Sequence, residues 1–131
     1  MITSHLKSTF ALLIVSLLLA SCTVALNPNN GATTTAVYQA NTLVTTVDTS
    51  MDSAFRATIS SLDKLNDYFR TGEVVNETSV TIIARKVGDI RVHIKLIKVS
   101  EEQTEIRVRV GLIGNLPESQ VILNTIQETL S

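Results

Sequence analysis

IRVHIKLIKVSEEQTEIRVRVGL, residues Ile90 to Leu112, decides the fold. Ile90, Val92, Ile94 and Leu96 alternate with Arg91, His93 and Lys95. Beyond Ser100-Glu101-Glu102-Gln103, the apolar set Ile106, Val108, Val110 and Leu112 alternates with Arg107 and Arg109. A period of two sends successive side chains to opposite faces of a strand, so each run has one apolar and one basic face. Val80, Ile82 and Ala84 repeat the apolar alternation before the turn Val87-Gly88-Asp89. The expectation is an antiparallel meander of three strands with one buried face.

Working outward, Asn115-Leu116-Pro117-Glu118 opens a helix, with Asn115 as cap and Glu118 reaching back to it. Ser119, Ile122, Ile126 and Leu130 form its inward stripe. Upstream, Thr49-Ser50-Met51-Asp52 has the form of a capping box with Asp replacing Glu. Met51, Phe55, Thr58, Leu62 and Leu65 then recur at helical spacing, giving a helix to about Asn66. Before it, NTLVTTVD (Asn41–Asp48) reads as a β-branched strand. Residues 68–79 read as a short strand followed by a loop. The expected fold is therefore α+β: a single antiparallel sheet of about four strands, two helices packed on one face, in the order β-α-β-β-β-α.

The N-terminus has another character. MITSHLKS is short, polar and weakly basic, Phe10 to Leu19 is apolar except for Ser16, and Ala20 and Ser21 are small. This is the layout of a secretory signal peptide. Leu19-Ala20-Ser21-Cys22 matches the bacterial lipobox, in which the signal is cleaved before a cysteine that carries lipid. Two other readings stay open: an uncleaved helical anchor over Phe10–Leu26, at the short end of the spanning range, or an ordinary signal peptide followed by an incidental thiol. Leu26 to Ala36, LNPNNGATTTA, lacks apolar period and reads as a linker. The expected organisation is a signal at 1–21, a lipidated Cys22 with flexible tether over 22–37, and a globular domain over 38–131.

TEIRVRVGLIGNLPESQVILNTIQETL (Thr104–Leu130) and AFRATISSLDKL (Ala54–Leu65), with the lipobox ahead of them, resemble a family of small bacterial lipoproteins known only as a domain of unknown function. The family's strand leads through a Gly-Asp or Gly-Asn turn into a helix with Ser, Ile, Ile and Leu on one side. Asn66-Asp67 and Asn41 stand where the family tends to have glycine. The resemblance implies an envelope lipoprotein and supplies no catalytic residue.

Composition narrows the function. The 131 residues are 44% hydrophobic and 18% charged, enough for one domain with a modest core. A chain beginning at Cys22 loses only Lys7 among charged residues and is slightly acidic, which argues against general nucleic-acid binding. Cys22 is the single cysteine, so no internal disulfide forms. Past it there is one histidine, His93, and neither a Gly-rich phosphate loop nor a Gly-x-Ser-x-Gly elbow. Nothing assembles a metal site, a nucleophilic triad or a carboxylate acid/base pair, and no cofactor is expected.

One constellation is chemical. The alternation that buries Ile94 and Val108 puts Arg91, His93, Lys95, Arg107 and Arg109 together on the opposite face, with Arg85 near the hairpin end and Glu105 as the obvious offset. It is either a solvated sheet face with arginine stems lying over aliphatic neighbours or a docking patch for an acidic envelope protein, an anionic envelope polymer or lipid headgroups. The expected protein is a non-enzymatic envelope module held to the membrane through Cys22. In a Gram-negative host it would lie on the outer membrane facing the periplasm, since Thr23 rather than an inner-membrane-retaining Asp follows the cysteine. The alternative is a periplasmic lipoprotein that binds a small ligand between helices and sheet.

Overall fold

The computed structural model describes residues 22–26 and 34–131. Its strands are β1 (Cys22–Leu26), β2 (Thr34–Gln39), β3 (Thr42–Val47), β4 (Tyr68–Val75), β5 (Ser79–Lys86), β6 (Ile90–Ser100) and β7 (Gln103–Val110). Helix α1 (Met51–Leu65) lies between β3 and β4, and α2 (Leu116–Leu130) follows β7. All seven strands join one antiparallel sheet in the order β1-β2-β3-β7-β6-β5-β4. The architecture is α+β with two helices, as the periodicity indicates, but the sheet has seven strands rather than about four. Their order is β-β-β-α-β-β-β-β-α.

The extra strands come from three weakly patterned stretches. The tether expected over 22–37 is strand wherever it is described: β1 and β2 form a hairpin in which Cys22 faces Tyr38 and Val24 faces Ala36. Leu26 and Ala36, read as linker, are buried in the core. The same pairing bears on the proposed anchor helix over Phe10–Leu26, because Cys22–Leu26 is extended rather than helical; residues 10–21 lie outside the described part. Among the described residues no helix is long and apolar enough to cross a membrane. The third stretch is β4, which runs the full length from Tyr68 to Val75 at the other sheet edge. A bulge between Arg70 and Gly72 breaks its alternation, and almost all of it is exposed.

The core follows the alternation. Ile82 pairs with Ile94, Ile94 with Val108, and Val108 with Leu43, so one continuous row of fully buried side chains crosses four strands. Leu62 of α1 and Ile122, Leu123 and Ile126 of α2 close over this face. The helices run antiparallel, because Ser61 meets Thr129 at 3.2 Å while Tyr68, just past α1, reaches back to Glu118. Small residues on α1, Ala54, Ala57 and Ser61, are buried there and permit the close packing. Two strand positions read as core are not: Ile90 is partly exposed at the turn, and Leu112 has left the strand and is among the most exposed residues.

Caps differ from expectation by one residue and one partner. Ser50, not Thr49, caps α1, its hydroxyl accepting from the Ser53 amide at 3.2 Å. Asn66 ends the helix in the left-handed region, donating its amide to the Leu62 carbonyl; Asn tolerates this conformation where glycine is commonest. Asn115 caps α2 as expected, accepting from the Glu118 amide at 3.1 Å. The Glu118 carboxylate, however, does not reach back to Asn115.

Candidate functional site: a cationic face on an open sheet

Both helices lie on one side of the sheet, and the opposite faces of β5, β6 and β7 are left uncovered. Register brings the basic residues together across strands: Arg85 opposite Arg91, Lys95 opposite Arg107, and the imidazole of His93 opposite Arg109. Directly opposed residues stand about 5 Å apart at Cβ, where like charges destabilise. Two such like-charge pairs, Arg85–Arg91 and Lys95–Arg107, with Arg109 beside the second, spread positive charge over three strands. Arg91, His93, Lys95, Arg107 and Arg109 line a concavity of about 790 Å³ together with Thr42, Thr81, Asp89, Ile90 and Leu112.

Neutralisation is partial. Glu105 pairs with Arg107 at 3.0 Å, so the offset expected from the sequence is present, and Asp89 pairs with Arg85 at 2.6 Å. Arg109 donates to the Leu112 carbonyl, which turns the start of the following loop towards the groove. Among the described residues the side chains of Arg91, His93 and Lys95 make no ion pair or hydrogen bond. The five cations singled out from the sequence, Arg85, Arg91, Lys95, Arg107 and Arg109, therefore share one surface, and four of them line the groove. Arg85 flanks it through its pair with Arg91.

Cys22 is exposed at the first residue of β1. Leu19, Ala20 and Ser21, the expected cleavage motif, lie outside the described residues. No group of three or more His, Cys, Asp or Glu side chains among the described residues is arranged to hold a metal. The space between helices and sheet, where a small ligand was the alternative, is occupied by the fully buried Leu62, Ile94 and Ile126, with Phe55 packed against them. The groove lies on the other face.

One cluster was not legible in the sequence. Glu118 Oε1 accepts from the Tyr68 hydroxyl at 2.8 Å and from Lys86 Nζ, tying α2 to the first residue of β4 and the last of β5. Burial opposes ionisation of Glu118, but the hydrogen bonds from Lys86 and Tyr68 and the lysine charge together hold its carboxyl below the usual range. Burial, followed by the hydrogen bond and charge of Glu118, pushes the Tyr68 phenol well above its ordinary value. The Glu118 hydrogen bond, against some desolvation, raises Lys86. The cluster is structural: it fastens a helix to the exposed edge hairpin. Its only sequence signal was a Glu three residues past a cap, which local geometry explained equally well.

No curated protein matches the chain in sequence. A family model does, over residues 5–129: the chain belongs to the DUF3568 family, described as a protein of unknown function.

Proposed function

We propose that this is a non-enzymatic, lipid-anchored envelope protein whose open sheet face binds an acidic segment of a protein partner. The observation that carries the reading is the two like-charge pairs across β5, β6 and β7, Arg85–Arg91 and Lys95–Arg107, with Arg109 beside them and Arg91 and Lys95 lacking a partner among the described residues. Like-charge neighbours each cost a few tenths of a kcal/mol, of order 0.2–1, unless an anion sits between them. Side chains two apart on a strand repeat every ~6.6 Å, which is also the repeat of alternate residues in an extended acidic peptide. Ile90 and Leu112 at the groove rim add apolar contact that a partner's side chains can share.

The anchor reading rests on Leu19-Ala20-Ser21-Cys22 and the apolar run before it, a region that the family match takes in. Lipid on the sulfur, with a further acyl chain on the new amine, gives several buried chains at about 0.8 kcal/mol per CH₂, enough for a stable anchor. Cys22 is exposed, as the attachment requires. Residue 23 is Thr, which favours the outer membrane and a periplasm-facing domain in a Gram-negative host.

Two experiments test the proposal. Labelling cells with a tagged fatty acid should mark the wild-type chain and not Cys22→Ala; labelling of both, or of neither, overturns the anchor. Poly-L-glutamate should bind the purified chain with an affinity that falls as salt rises, because the contacts are between partly exposed charges. Absence of binding at low salt, or binding to dextran sulfate alone, removes the acidic-peptide reading.

A further inference from the structure

The end of the sheet nearest Cys22 gathers exposed apolar side chains from separate parts of the chain. Leu112 is 87% exposed, Ile113 81%, Val87 79% and Phe69 63%. The Gly111 amide donates to the Arg91 carbonyl at 2.8 Å, which holds the loop bearing Leu112 and Ile113 beside the Val87–Asp89 turn. Gly114 fixes the same loop on its other side. It has φ +81, and a Cβ there would lie 2.5 Å from the Tyr38 hydroxyl and 2.8 Å from Asn41. Single exposed apolar residues are ordinary, whereas several converging on one rim mark a contact surface.

The opposite end has a different character. Asp48, Glu101 and Glu102 surround its loops, Glu77 lies in the neighbouring turn, and Lys98 is the near cation, paired with Glu101 at 2.7 Å. The molecule is therefore polar along its strands. One end carries apolar tips with Arg85, Arg91 and Arg109 behind them; the other carries carboxylates beside the exposed Val75 and Val99, which lie near the ends of β4 and β6. Acidic groups occur at the first end too: Asp89 and Glu118 are each paired with a cation, while Asp67 and, in the last turn of α1, Asp63 are exposed.

The position of Cys22 selects what covers the apolar end. Cys22 faces Tyr38, two residues before the Ala40-Asn41 turn, so it lies within about 7 Å of the apolar end along the strand direction. No tether separates it from the sheet, because β1 starts at Cys22 itself and Leu26 is already in the core. Acyl chains on Cys22 bring a bilayer to this end with no slack. The Leu112 loop is three strands away, a lateral separation of roughly 14 Å. We propose that the molecule stands end-on upon an anionic phospholipid bilayer, with Leu112, Ile113 and Val87 seated among the headgroups and the acidic end turned away. Two separated contacts, the acyl chains at one sheet edge and the apolar loops near its middle, fix the orientation. The cationic face then stands upright on the membrane, open to a partner from the side. This inference rests on the lipid-anchor reading above.

The chain has no tryptophan, which makes the test direct. Leu112→Trp and Val99→Trp place one reporter at each end, both at exposed sites. The full chain, expressed with its N-terminal segment in a bacterial host, is purified in detergent, weighed for acylation and reconstituted into phosphatidylethanolamine/phosphatidylglycerol vesicles with brominated acyl chains. The expected result is a blue shift and loss of most emission for Trp at 112, and unchanged emission at 99. Acylated protein that floats with the vesicles but keeps full emission at 112 overturns the seating alone. Quenching at both ends overturns the end-on orientation. A shift at 112 without bromine quenching means that a second copy covers the loops, and also overturns it. Protein with no acyl mass that fails to float overturns the anchor reading and this inference together.

Discussion

The two faces of β6 and β7 are built from the same twenty or so residues and obey opposite rules. On the helix side, Val92, Ile94, Leu96, Ile106, Val108 and Val110 are buried, and Ile94 meets Ile82 and Val108 across the ladder. On the other side, Arg85 opposes Arg91 and Lys95 opposes Arg107, and Arg91 and Lys95 lack a partner among the described residues. The covered face is arranged for stability. The open face is arranged at some cost to it, and a surface that gives up cross-strand complementarity twice is better explained by what it meets than by what it holds together.

The comparison is broken most severely by neighbouring substitutions on one strand. Ile94→Ala should lower unfolding free energy by about 2–5 kcal/mol, because it opens a cavity in a row packed from both sides. Lys95→Ala, one residue along, should change it by less than about 0.5 kcal/mol. Urea denaturation of the two variants measures both, and similar losses would mean that the open face is part of the fold's support.

A smaller effect is expected at Glu118, which joins the helix layer to the β4–β5 edge. Glu118→Gln keeps the shape but removes the charge from the Lys86 contact, and should cost about 1–2 kcal/mol at neutral pH. The folded carboxyl titrates below its unfolded value, so its contribution is complete above the ordinary carboxylate range and is lost as pH falls through the folded value. Thermal melts from neutral to acid pH should show the wild type losing its advantage over Glu118→Gln. A constant difference down to low pH would remove the charge from the account.

The smallest effect concerns the β2–β3 turn, where Ala40 and Asn41 both take positive φ, at 51° and 63°. Asn accepts this region, but Ala is strained there by roughly 1 kcal/mol. Ala40→Gly should therefore raise stability by up to about 1 kcal/mol, seen as a higher denaturation midpoint with unchanged slope. A lower midpoint would show that chain entropy outweighs the strain.

The legible and illegible parts of the fold divide along the same physical line. Strands β5, β6 and β7 could be read because one face is buried and the other wet, so every second residue reports its side. The cationic patch was legible for the same reason, since a face needs only the alternation to be assembled. Strands β1 and β2 were not, because Thr and Ala make up nearly half of them and only Val24, Leu26, Ala36 and Tyr38 point inward. Strand β4 was legible only as a short strand before a loop, because its exposed edge position and the bulge at Arg70/Gly72, which resets the alternation midway, weaken the pattern. Leu112 reads as core because it continues the strand's period by one step, although Gly111 at φ +74 has already turned the chain away.

The central claim is that the open face binds at the expense of stability, and Lys95→Glu tests it in one sample. Opposite Arg107, the new carboxylate turns a repulsive pair into an attractive one. The account predicts a variant at least as stable as wild type, by urea denaturation, that no longer binds poly-L-glutamate at low salt. Undiminished binding by the Lys95→Glu chain would contradict it.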